Sequence, residues 1–124
     1  MPYSVGWLIE NRVIEAELRG VMTEYELRTL MEDISRLAFQ GTQPIYLIVD
    51  SIELRRTSFG IDTLKQVSGI RCGFELIVVV TTNLLQMPLV RSAAFIFGMH
   101  IVITSTVGDA KLTVSQHDPS IQFT

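Results

Sequence analysis

The 124-residue chain predicts a single α/β domain with a mixed sheet, a leading β-hairpin and central parallel strands, in the element order ββαβαβαβα. Three observations lead there. The apolar run 45–49, which ends in Asp50, and the β-branched segment 74–82 have the pattern of parallel strands buried on both faces. An earlier segment alternates apolar and charged residues with period two, as a strand with one wet face does. Between these regions apolar residues recur at helical spacing, and strands alternating with helices imply a parallel sheet joined by right-handed crossovers.

Residues 4–9 are expected to form the first strand, followed by a polar turn at Glu10, Asn11 and Arg12. In segment 13–19, Ile14, Ala16 and Leu18 alternate with Glu15, Glu17 and Arg19, which makes the pair a hairpin at a sheet edge, with Gly20 ending the second strand. Thr23 and Glu26 have the spacing at which each side chain satisfies a backbone donor of the other, so a helix opens there. Leu27, Leu30, Met31, Ile34, Leu37 and Ala38 give that helix one apolar stripe, and Gly41 supplies its stop. Pro44 precedes the strand at 45–50, which ends in Asp50; a second helix is expected at 58–68 and a turn at 69–73. The β-branched strand 74–82 follows, and Pro88 suits the first turn of a third helix at 89–97 with Gly98 as its left-handed cap. Residues 100–104 predict a third buried strand. Thr106 or Gly108 opens a last short helix through Val114, and the tail at 115–124 has no periodic pattern.

Composition narrows the function classes. The length suits one core-rich domain spanning 1–124, and 48% apolar residues argue against long disordered segments. A net charge of −3 provides no broad positive field for nucleic acid or anionic lipid. Cys72 is alone, which excludes an intrachain disulfide and points to a reducing, cytoplasmic setting. The first twelve residues lack the pattern of a secretory signal. The apolar region 84–103 is interrupted by Gln86, Pro88, Arg91, Gly98 and His100, too often for a membrane span. The two histidines, His100 and His117, have no neighbours at metal-ligand spacing, and His100, just before a buried strand, reads as structural. No phosphate-binding, dinucleotide-binding or nucleophile-elbow motif occurs, so neither an enzyme, a metal nor a cofactor is implied.

Candidate function gathers just after Asp50, because sites of open α/β sheets lie beyond the carboxyl ends of strands. The residues that fall there are Ser51, Arg55, Arg56, Thr57, Ser58, Gly60 and Ile61. Asp50 can fix the loop by accepting backbone N–H bonds or take part in phosphate chemistry. Ser58, read as the start of the second helix, is either its N-cap or a phosphorylation site facing free backbone N–H groups, with Arg55 and Arg56 offsetting the added charge. The arginine pair is otherwise a solvated spot or a contact for an acidic partner. Phe95, Ile96, Phe97 and Met99 make the third helix apolar beyond one stripe, which reads first as core and second as a dimer contact. Trp7 is either a buried hairpin aromatic or a partner anchor.

The element order, with the strand ending at Asp50 and the segment Thr57, Ser58, Phe59, Gly60, Ile61, Asp62, Thr63, Leu64 opening a helix, resembles the STAS domain, the SpoIIAA-like fold of anti-sigma-factor antagonists. Ser58 stands where that family carries the serine a partner kinase phosphorylates, Gly60 matches the family glycine, and Ile61 and Leu64 match its apolar positions. Thr57 replaces the usual Asp, Phe59 a small residue and Asp62 a second glycine, the pattern of a divergent member. The resemblance implies a noncatalytic interaction module in bacterial signalling that binds a switch kinase or sensor protein through residues 50–61, with Ser58 as its switch. Two further readings stand beside it: a carrier or sensor of a small apolar ligand or nucleotide in a pocket between sheet and helices, and a structural homodimer through the third helix.

Overall fold

In the computed structural model, which describes residues 3–67 and 73–123, the chain forms five strands and four α-helices in the predicted order. The strands are β1 (Tyr3–Ile9), β2 (Val13–Met22), β3 (Tyr46–Thr57), β4 (Leu76–Val80) and β5 (Ile101–Thr104), and they lie side by side in that order. β1 runs antiparallel to β2, and β2 through β5 are parallel. Asn11 turns the hairpin with a left-handed φ of 68°, a conformation its short polar side chain tolerates.

The helices are α1 (Glu24–Gln40), α2 (Ile61–Val67), α3 (Met87–Phe97) and α4 (Val107–His117). Because strands adjacent in the sheet are also consecutive in sequence, crossovers of one hand put all three connecting helices on one face. Leu30, Ile34 and Leu64 pack there against Leu47, Ile77 and Val79, with Leu89 and Ala93 of α3 beside them. Only α4 remains for the opposite face, where Ala110 and Val114 cover Tyr46, Ile48 and Val78. The first half of β3, up to Val49, and all of β4 are therefore covered on both sides, the cause of their unbroken apolar runs.

Capping chemistry behaves as its spacing requires. The Thr23 hydroxyl accepts from the Glu26 N–H at 3.2 Å, and a Glu26 carboxylate oxygen accepts from the Thr23 N–H at 2.8 Å. Gly98 closes α3 in the left-handed region at φ 63°. Thr106, rather than Gly108, opens α4, its hydroxyl accepting from the Asp109 N–H at 3.0 Å.

Several expectations are corrected. Gly20 does not end β2: at φ 65° it lies within a stretch of irregular register with β3, and the strand continues to Met22. Likewise β3 continues from Asp50 to Thr57. β5 is half-buried rather than buried, because as the last strand it has one neighbour. α2 begins at Ile61, not at Ser58, and the expected end at 68 and turn at 69–72, with Cys72, lie outside the described residues. Phe95 is 89% exposed and belongs to no core, whereas Ile96 and Met99 pack on the α1 side; the Phe97 side chain is outside the description. Trp7 is half-buried against the same cluster. The tail is ordered by its own contacts: α4 runs on to His117, Ile121 is buried, and Asp118 accepts from Arg12 at 3.1 Å and from the Tyr46 hydroxyl at 2.9 Å.

Candidate functional site

Strand β4 pairs with β3 only as far as Asp50 opposite Val80, while β2 stays paired with β3 up to Met22 opposite Thr57. Residues 51–57 thus leave the sheet as the outer half of a two-stranded ribbon that projects past the carboxyl end of β4. Two bonds fasten the ribbon's free edge. The Ser51 hydroxyl donates to the Val80 carbonyl at 2.8 Å, and the Gln86 side-chain amide donates to the Leu54 carbonyl at 3.0 Å. Gln86 belongs to a 3-10 turn, Leu84–Gln86, which Asn83 caps by accepting from the Leu85 N–H at 2.9 Å.

The ribbon has an inner and an outer side. Ser51 and Leu54 are buried, whereas Ile52, Glu53, Arg55 and Arg56 are exposed. Neither Arg55 nor Arg56 makes an ion pair or hydrogen bond among the described residues, so their guanidinium groups are presented to solvent. Beside them the 3-10 turn exposes Leu84 and Leu85 at 77% and 88%, two apolar residues at the sheet's carboxyl end that reading by element missed. The signal was a leucine pair directly after a Thr-Thr-Asn turn sequence, but its position at the head of a long apolar region concealed it.

The remaining predicted residues separate by side. The Asp50 carboxylate is half-buried and accepts from the Ile52 N–H at 3.2 Å. Ser51 is turned inward and is no part of the outer surface. Thr57 is half-buried opposite Met22. Ser58 is exposed, and its N–H donates to the Met22 carbonyl at 2.8 Å with the hydroxyl directed to the same oxygen at 3.4 Å. That arrangement ends the β2–β3 ribbon rather than capping a helix: the first helical bond of α2 runs from Leu64 N–H to the Gly60 carbonyl. Gly60 is exposed, with open space where a side chain would stand, and Ile61 opens α2. Before the ribbon, within the body of the sheet, Glu15 of β2 stands opposite Ile48 of β3. Burial, then the nearby Asp50 and Glu17 carboxylates, push the Glu15 carboxyl above its ordinary range, with Lys111 opposing.

Underneath the ribbon, between the sheet and helices α1 to α3, lies a cavity of about 190 Å³. Leu47 and Val79 form its floor, Leu30 and Ala93 stand on opposite walls, and Leu54 and Thr57 reach it from the ribbon's inner side. Among the described residues no charged side chain lines it.

The histidines stand apart from both features. His117 meets the Tyr46 ring edge-on, with centroids 5.9 Å apart, and approaches Glu75 at 3.5 Å. His100 is exposed, not enclosed as a structural residue beside a buried strand. Among the described residues no helix is long and apolar enough to cross a membrane.

No protein-family model matches the chain, and no curated protein matches it. Solved structures do. An uncharacterized protein of the DUF3478 family with a SpoIIAA-like fold, from Shewanella loihica PV-4, superposes with a TM-score of 0.61 at 20% identity, over 87% of this chain and 88% of that one. The anti-sigma factor antagonist SpoIIAA in its unphosphorylated form gives a TM-score of 0.63 at 15% identity, over 90% and 96% of the two chains. The chain therefore has the SpoIIAA-like fold that its element order and the residues after Asp50 predicted.

Proposed function

We propose that this domain is a noncatalytic protein-interaction module in bacterial signalling whose partner, a switch kinase or sensor protein, docks on the outer side of the projecting ribbon. The observation that carries this reading is the ribbon itself. It offers two arginines that have no partner among the described residues, the exposed Ile52 and the adjoining Leu84 and Leu85 on one end of the molecule. Apolar side chains ringed by charge suit a transient contact, in which arginines set encounter rate and register and the apolar residues supply contact area. The likeness of fold to an anti-sigma factor antagonist supports the same class. Ser58 is the site of regulation on this reading. It is exposed at the ribbon's end, and a phosphate there would add close to two negative charges within three residues of Arg55 and Arg56 and alter the contact.

The test compares wild type with the double variant Arg55→Glu/Arg56→Glu, captured with cross-linking from the protein's own host. A defined partner recovered with wild type and reduced at least tenfold with the variant is the expected result. Equal recovery from both overturns the assignment of this surface. Phosphopeptide mapping of the host protein, with Ser58→Ala as control, tests the switch separately; an unmodified Ser58 under all growth conditions removes regulation and leaves the docking surface standing.

A further inference from the structure

We propose that the cavity under α1, α2 and α3 is a binding site for a small, uncharged, apolar molecule about the size of an eight-carbon chain. This goes beyond the docking surface and does not depend on it. Size is the first argument. An engineered cavity of about 150 Å³ lined by aliphatic and aromatic side chains stays dry and admits benzene, and this one measures about 190 Å³.

Water is a poor occupant. Each buried water needs two to four polar partners, and the polar side chains of the lining are largely spoken for: the Ser51 hydroxyl donates to the Val80 carbonyl, while Gln86 donates to the Leu54 carbonyl and accepts from the Thr81 hydroxyl at 3.1 Å. A misplaced core side chain is a poor explanation too. The walls come from four strands and three helices, so the space is shared by the whole layer rather than left by one short residue. Chemistry then selects the ligand. Among the described residues a carboxylate or phosphate inside would find no Lys, Arg or His along the walls, and an unpaired buried charge is far more costly than a buried methylene is favourable.

The probe is n-octanol, with octanoate at neutral pH as its charged counterpart, followed by methyl NMR of the full chain. Octanol is expected to give saturable shifts at Leu30, Leu47 and Val79, with octanoate at least tenfold weaker. Ala93→Phe places a ring in the space and is expected to weaken octanol at least tenfold while leaving the remaining methyl spectrum native. The proposal is overturned by shifts that do not saturate, by shifts at the exposed Leu84 and Leu85 instead, or by unchanged affinity in a folded Ala93→Phe. Should that variant fail to fold, Val79→Leu adds less bulk to the floor, and an undiminished octanol affinity there overturns the proposal equally.

Discussion

Gly41 shows how one residue can be correctly singled out for the wrong physical reason. A glycine after a helical stripe predicts a left-handed cap, yet Gly41 has φ −83°, which any residue can adopt. Its lack of a side chain matters because a Cβ would lie 2.6 Å from the Ile45 side chain, 2.8 Å from the Trp7 ring and 3.1 Å from the Asn11 carbonyl. The isoleucine tip can rotate away; the Asn11 carbonyl cannot, since it also accepts from the Thr42 N–H at 2.9 Å and belongs to the hairpin turn. Gly41→Ala is expected to destabilise the fold by about 1 to 3 kcal/mol, read as a lower urea midpoint at unchanged slope. An unchanged midpoint would mean the turn yields freely. Close approach of this kind is tertiary and leaves no trace in local spacing, whereas the Thr23 and Glu26 box was plain because both partners lie within one helical turn.

At the scale of elements, what local pattern could not reveal was length. The segment Ile52, Glu53, Leu54, Arg55, Arg56 reads as a loop because its polarity breaks the buried run, but half of a ribbon with one neighbouring strand has no need of two apolar faces. The tail was unreadable for a related reason. Asp118, Ser120 and Ile121 have no period, and Asp118, to which Ser120 and Ile121 bond, is fixed by partners 72 and 106 residues away in sequence. The Ser120 hydroxyl, at 2.7 Å, and then the Tyr46 hydroxyl hold the Asp118 carboxyl below its usual value of 3.8 against the opposing effect of burial, with lesser help from the Ser120 N–H and Arg12. A depressed folded pKa contributes stability that is present above the unfolded value and lost as pH falls through the folded one. Asp118→Asn is therefore expected to lower the denaturation midpoint at pH 7, and the gap to wild type is expected to close as pH drops below 3.8. A gap of constant size from pH 7 to pH 3 would show that the carboxylate's charge contributes nothing.

For the molecule as a whole, the consecutive strand order has a consequence larger than any single contact. It sends α1, α2 and α3 to one face, so that layer walls the cavity, and it leaves the β2–β3 ribbon uncovered at the carboxyl end. The fold and the neighbourhood of the site were readable because hydrophobic period decides both. The cavity was foreshadowed only as an apolar pocket, since Phe and Met at these spacings describe a filled core equally well. One strand now serves both features: Leu54 and Thr57 face the cavity, while Arg55 and Arg56 face solvent. Chemically the two sides are insulated, because an exposed guanidinium exchanged for a carboxylate is screened by water and changes stability by no more than about 0.5 kcal/mol. Mechanically they are joined, because a ligand that binds only the closed arrangement stabilises every segment that must open to release it. Arg55→Glu/Arg56→Glu is accordingly expected to leave octanol affinity within about twofold of wild type. Saturating octanol is expected to slow amide hydrogen exchange across residues 51–57 in both proteins. Slowing confined to α1 and α3 would mean that the ribbon moves independently of the cavity, and that occupancy inside conveys nothing to a partner outside.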